Sequence, residues 1–189
     1  MVSKIERVKE LVIRVVNEKV GYSSLVEDFL KIREDTSLYY EFIYYVCKEF
    51  KPELMVEIGT YFGISAIHMA LGNPEGKVYT IDKDERPVVV SGISNIECIQ
   101  GYSYEVQNKF VDNSIDLLFI DGDHRYEYEK LDYEKYYPKV KDGGLILIDD
   151  INFASMGKLW DEIQGVKLRV DSLRLRGEGF GVVFKGDYK

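Results

Sequence analysis

The sequence predicts an α/β fold: a doubly wound, seven-stranded, mostly parallel sheet with an antiparallel hairpin at its C-terminal edge, preceded by an N-terminal helical extension. Three observations predict it. From residue 53 onward, short apolar runs alternate with segments of helical period. The runs lack clean two-residue alternation, as expected of strands covered by helices on both faces. Directly after the first run comes Glu57-Ile58-Gly59-Thr60-Tyr61-Phe62-Gly63, a glycine-bearing stretch where such folds turn from strand to helix.

Residues 1–50 read as helices and residues 51–189 as the α/β domain. Ser3-x-x-Glu6 is a capping-box pattern, and Ile5, Val8, Val12, Val15 and Val16 recur at helical spacing before Gly21. Ser24-x-x-Glu27 repeats the start signal ahead of a second short helix. A third helix covers about 37–50, with Leu38, Phe42 and Val46 on one face, and Pro52 marks its end. Strands are expected at 54–58, 78–81, 96–99, 115–120 and 145–148, with helices at 64–71, about 104–110 and 126–137. Between residues 83 and 95, Pro87, three valines and Gly92 leave room for a short helix at most. The last two strands, 166–170 and 180–184, flank the turn-like Arg176-Gly177-Glu178-Gly179 and are expected as antiparallel neighbours at one edge.

Composition narrows the function classes. The 189 residues suit one domain, or one domain with a helical extension, and an apolar fraction of 46% supports one core. The formal charge is -8, from 33 acids against 25 bases, and no dense Lys/Arg run appears, which argues against nucleic-acid backbone binding. The N-terminus carries charge where a signal peptide needs an apolar core, and no apolar run approaches membrane-spanning length. Cys47 and Cys98 lie far apart in apolar segments and are expected as buried thiols. The expectation is a soluble cytoplasmic protein.

Chemistry-bearing residues follow the strand ends, where open α/β sheets bind ligands. Gly59 and Gly63 let the chain reverse tightly and a ligand approach the backbone, while the next helix offers free N–H groups and Ser65 a hydroxyl. Such a turn also occurs without a ligand. Asp82 ends the second strand, where an acid accepts the hydroxyls of a ribose and repels a 2′-phosphate. It reads otherwise as a solvated loop acid beside Lys83, Asp84 and Glu85. Combined with Gly59 and Gly63, it points to a nucleoside cofactor. Asp121-Gly122-Asp123-His124 and Asp149-Asp150 bring carboxylates to adjacent strand ends, a repulsion that Mg²⁺ or Ca²⁺ would relieve better than zinc. The alternatives are helix capping by Asp123 and a turn acid at Asp150. His124 suits a general base or a structural helix-start histidine, and His68 is expected to be packed or exposed within its helix. The tyrosines at 126, 128, 133, 136 and 137 are expected mostly to pack helix on sheet.

At these residues the chain resembles the class I S-adenosylmethionine-dependent methyltransferases. Within that class it is most similar to the catechol and caffeoyl-CoA O-methyltransferase branch and its bacterial small-molecule relatives. The resemblance covers about residues 53–189 and rests on Val56 to Ala66, Phe119-Ile120-Asp121-Gly122-Asp123-His124 and Gly143-Gly144-Leu145-Ile146-Leu147-Ile148-Asp149-Asp150. It implies S-adenosylmethionine held at Glu57, Gly59 and Gly63, with Tyr61 and Ser65 at the methionine moiety and Asp82 at the ribose. Ser103 then stands beside the adenine, and Asp121 completes the set. It also implies Mg²⁺ at Asp121, Asp149 and Asp150. Two residues depart from that branch. Asp150 stands where the branch has Asn, and His124 stands where it has a catalytic lysine.

The implied activity is O-methylation of a small-molecule hydroxyl, Mg²⁺-assisted, with His124 as base. An NAD-dependent oxidoreductase is the first rival, although Thr60, Tyr61 and Phe62 break the Gly-x-Gly-x-x-Gly spacing it needs. A non-catalytic S-adenosylmethionine-binding protein is the second. A nucleic-acid methyltransferase is disfavoured by charge and by the lack of an Asn-Pro-Pro-Tyr or Asp-Pro-Pro-Tyr motif. Substrate contacts are expected from residues 1–50 and a loop at about 152–157. The extension reads equally as a lid or as a surface that pairs subunits into a homodimer.

Overall fold

The computed structural model describes residues 2–17, 38–85, 93–173 and 177–186. Helix α1, Lys4–Asn17, starts with the expected capping box: the Ser3 N–H and hydroxyl donate to Glu6 Oε2, and the Glu6 N–H returns to Ser3 Oγ. Its apolar face buries Val8, Leu11 and Val15. The second short helix expected after Ser24 lies outside the described residues. Helix α2, Tyr39–Phe50, ends at Lys51, which adopts the left-handed conformation at φ 47°, and Pro52 follows.

Seven strands then form one sheet in the order β3-β2-β1-β4-β5-β7-β6. They are β1 Leu54–Ile58, β2 Lys77–Asp82, β3 Ile96–Gln100, β4 Ile115–Ile120, β5 Val140–Asp149, β6 Val166–Arg169 and β7 Phe180–Phe184. The first five pair in parallel, while β7 runs antiparallel to both β5 and β6. The chain builds outward from β1 to β3, then returns to lay β4 on the other side of β1. The carboxyl ends of β1 and β4 therefore flank the switch point, where a crevice opens.

Helix α3, Ile64–Gly72, follows β1; the one-turn α4, Ser103–Val106, follows β3; α5, Tyr126–Tyr136, follows β4; and α6, Ala154–Glu162, follows β5. Both sheet faces are covered. In β4, Leu117 and Phe119 enter the core shared with α1, α2 and α3, whereas Leu118 and Ile120 enter the one shared with α5 and α6. That double burial is why the strands read as unbroken apolar runs. The N-terminal helices belong to the first of these cores: Tyr39 stacks on Phe180 at 5.6 Å and Phe42 meets the same ring edge-on.

Three expectations change. Strand β5 begins at Val140 and not at 145, with a register shift between Ile115 and Leu117 that takes up the glycine pair. Residues 152–157 are not all loop, because α6 starts at Ala154 and buries Met156, Leu159 and Trp160. Cys98 is exposed on β3, although Cys47 is buried as expected; both are free. Among the described residues, no helix is long and apolar enough to cross a membrane.

Candidate active site

The turn between β1 and α3 is braced from below. Glu57, fully buried, accepts hydrogen bonds from the Ser65 and Thr80 hydroxyls, and Thr60 meets Thr80 at 2.6 Å between hydroxyl oxygens. Since Thr80 gives its proton to Glu57, Thr60 is the donor to Thr80. Burial, opposed by these two hydroxyls, pushes the Glu57 carboxyl up to about 7. Glu57 stands outside the crevice lining and supports it from beneath, while Ser65 lines the crevice with its hydroxyl engaged by Glu57.

Gly59 has φ +98°, and a Cβ there would overlap the backbone carbonyl oxygen of Asp121. Glycine is required for the close approach of β1 and β4 ends, before any ligand is considered. Gly63 caps α3 at φ +75° and does not line the crevice. Tyr61, half-exposed at φ +43°, donates its backbone N–H to Asp82 Oδ2 at 3.1 Å, and Asp84 N–H donates to Oδ1 at 3.0 Å. Asp82 thus ties the glycine turn to the end of β2 and also lines the crevice.

The crevice is a cavity of about 660 Å³ at the carboxyl ends of the strands. It gathers Gly59, Tyr61, Ser65, Asp82, Ser103, Asp121, His124, Asp149 and Asp150 from segments far apart in the chain. Of the catalytic, cofactor and metal residues expected, Glu57 and Gly63 stand outside its lining, as do residues 152–157, expected to contact the substrate. Tyr39 and Tyr40 of α2 close one wall, so the N-terminal extension does reach the site. Tyr128 lines it too, exposed beneath the Arg125 guanidinium at 4.2 Å, which departs from its expected packing role. Tyr136 does pack as expected, fully buried against Phe110. His68 lies in the core against Tyr40, its Nδ1 2.7 Å from the Ile64 carbonyl, and burial lowers it to about 4.

At the β4 and β5 ends the negative charges crowd. Burial, then Asp149 and Asp150, raise Asp121 well above the usual carboxylate range, favouring its protonated form. Asp149 Oδ1 accepts the Asp150 N–H at 2.9 Å. Asp150, in the left-handed region at φ +57°, places Oδ2 3.1 Å from His124 Nδ1. Ser155 Oγ donates to the His124 carbonyl at 2.6 Å, and Phe153 lies edge-on to the imidazole at 6.2 Å. The contact with Asp150 favours the tautomer with hydrogen on Nδ1, leaving Nε2 basic. Asp123 does not cap α5; the adjacent Arg125 guanidinium and N–H engage it and lower its carboxyl.

The oxygen set implied for Mg²⁺ does not fit this arrangement. Asp121, Asp149 and Asp150 share the cavity, but among the described residues no group of three or more His, Cys, Asp or Glu side chains is placed to hold a metal ion. Asp150, the third member, is turned toward His124 instead.

A family model described as a methyltransferase domain matches residues 56–151, which run from β1 to just past β5. The chain belongs to that methyltransferase family. An uncharacterized protein of Acanthamoeba polyphaga mimivirus is 35% identical over 114 residues, covering 50% of this chain and 50% of the relative. The chain therefore spans half the length of that curated relative. Among solved structures, an O-methyltransferase from Bacillus cereus in complex with S-adenosylhomocysteine superposes with a TM-score of 0.71 at 20% identity, covering 96% of this chain and 100% of the other. The O-methyltransferase TomG from Streptomyces achromogenes, in complex with S-adenosylmethionine, gives 0.69 at 14% identity, covering 98% and 100%. At these identities the likeness is one of fold. The methyltransferase family and its seven-stranded sheet, mostly parallel with an antiparallel edge, are as the sequence predicted.

Proposed function

We propose that this protein is an S-adenosylmethionine-dependent O-methyltransferase acting on a hydroxyl of a small molecule, with His124 as general base and Asp150 as the residue that orients it. One observation carries the reading: a single cavity holds the braced glycine turn and Asp82 together with the His124–Asp150 pair. The S-adenosylmethionine and S-adenosylhomocysteine bound to the Streptomyces and Bacillus neighbours support the choice of cofactor.

The residues present fit that cofactor. Asp82 offers lone pairs to a ribose, Tyr61 and Ser65 stand at the turn for the methionine portion, and Ser103 stands beyond Asp82 for the base. S-adenosylmethionine, when bound, supplies a methyl group on a sulfonium centre, which is already activated toward displacement. The chain's own part is proximity and proton management. With the cofactor bound, His124 Nε2 would take the proton of the acceptor hydroxyl, whose oxygen would gain the methyl group as the carbon–sulfur bond breaks and the sulfur leaves as a neutral thioether. Asp150 would steady the resulting imidazolium. Tyr39, Tyr40 and Tyr128 give the acceptor flat apolar walls. No step needs a metal ion.

Calorimetric titration with S-adenosylmethionine, S-adenosylhomocysteine and NAD, each with and without Mg²⁺, tests the cofactor. Binding of the first two, unaffected by Mg²⁺, is expected; binding of NAD alone would overturn the reading. For the chemistry, His124→Ala should lower kcat against a phenol and catechol panel by about 10²- to 10⁴-fold with cofactor affinity little changed. Asp150→Asn should fall between that variant and the wild type. Full activity in His124→Ala would remove the base assignment.

A further inference from the structure

The end of the cavity away from His124 contains buried acids that methyl transfer does not use. Asp132 on α5 is 4% exposed and lines the cavity. Its Oδ1 accepts the Ser103 hydroxyl proton, and its Oδ2 lies 3.4 Å from where a Cβ on Gly122 would stand. The Tyr136 hydroxyl donates to the Ser103 carbonyl at 2.9 Å, so α5 grips Ser103 through both side chain and backbone. One turn earlier, Glu129 is fully buried, and neither of its carboxyl oxygens makes a well-formed hydrogen bond among the described residues. Burial raises Asp132 to about 6, and burial with Asp132 raises Glu129 well above the usual range, as expected of acids short of donors.

Strand order fixes what this end of the cavity faces. His124, Asp149 and Asp150 follow β4 and β5 on one side of Gly59; Asp82 and Ser103 follow β2 and β3 on the other. With a nucleoside cofactor's ribose at Asp82 and its reactive end toward β4 and β5, the base falls beside Ser103, Gly122 and Asp132. This placement rests on the function proposed above. We propose that Asp132, held by Ser103, accepts the exocyclic amino group of the cofactor base and so makes the site select a 6-aminopurine over a 6-oxopurine. An ionised carboxylate only accepts hydrogen bonds, so an amino group satisfies Oδ2, whereas a 6-oxo group sets oxygen against oxygen. Gly122 keeps the approach open, since any side chain there would crowd Asp132 Oδ2 and Ile58.

The test compares S-adenosylhomocysteine with S-inosylhomocysteine, in which a 6-oxo group replaces the 6-amino group and N1 gains a proton, by calorimetry. Wild-type protein should prefer the adenine form by about 10- to 100-fold. Asp132→Asn offers an amide N–H that can donate to the 6-oxo group, so the preference should shrink below about threefold or reverse. A merely structural role would weaken both ligands together and leave their ratio unchanged. Ser103→Ala, a milder change, should narrow the same ratio and serves if Asp132→Asn does not fold. Equal affinities in the wild type, or an unchanged ratio in the variants, would overturn the proposal. Failure of the wild type to bind S-adenosylhomocysteine at all would instead strike the cofactor reading, and this proposal with it.

Discussion

Glu57 exposes no atom, yet its proton bears on the shape of the cofactor turn. Its carboxyl is held neutral up to about 7, against an ordinary 4.5. Between those values the unfolded chain loses a proton that the folded chain keeps, so folding stability falls as pH rises from about 4.5 to 7 and is level above that. The span corresponds to about 3 kcal/mol. Glu57→Gln should remove that part of the slope, so urea melts of variant and wild type at pH 5 and pH 8 should diverge. Parallel stability-versus-pH curves for the two proteins would show that Glu57 is not the titrating group. The sequence made Asp82 and His124 legible because Asp82 ends β2 and His124 follows β4, where this fold places its chemistry. It did not reveal Thr60 or Thr80, since their contact joins residues 20 apart through the β1–β2 register. It also gave no warning that Asp150 would turn toward His124, which depends on a left-handed backbone at an aspartate.

The β1–α3 turn shows how one element meets two demands. Gly59 is dictated by its positive φ and by the nearby Asp121 carbonyl, and the opening for a cofactor is a consequence of that packing. Gly59→Ala should cost about 3 kcal/mol or more, because both the dihedral and the overlap must be relieved. Gly143→Ala is the matched control: its φ is +84°, but nothing lies within 4 Å of the added Cβ, so only the dihedral cost of about 1–2 kcal/mol should appear. Thermal melts of the two variants separate the contributions, and equal losses would mean that β1 and β4 can part without penalty. Helices with caps or clear periodicity, such as α1 and α2, were legible. Helix α6 was not, because Asn152 and Gly157 look like loop residues, while the signal at Met156, Leu159 and Trp160 spans little more than one turn. The extension of β5 back to Val140 was hidden by Gly143 and Gly144, which sit inside the strand next to its register shift.

The whole molecule carries an excess of eight negative charges, and acids outnumber bases in the cavity where the strands end. The cavity is lined by Asp82, Asp121, Asp123, Asp132, Asp149 and Asp150 against Lys83 and Arg125, and Arg125 is spent on Asp123. Low-dielectric walls formed by both cores focus that field inward. The same field that raises Asp121 should favour a cationic ligand over its neutral counterpart. S-adenosylmethionine carries a sulfonium charge that S-adenosylhomocysteine lacks, and the two are otherwise alike in shape. If the proposed function holds, raising NaCl from about 50 mM to about 500 mM shortens the screening length roughly threefold and should weaken the sulfonium ligand several-fold. The product should change by less than about twofold, and the ratio of the two dissociation constants, read by calorimetry, is the measurement. A ratio indifferent to salt would mean that the carboxyls are largely protonated or masked. Glu57, Asp121, Glu129 and Asp132 all hold their protons above the ordinary range, so repeating the ratio at pH 5.5 and pH 8 separates those cases. Deprotonation toward pH 8 deepens the negative field, and the preference for the sulfonium should grow with it.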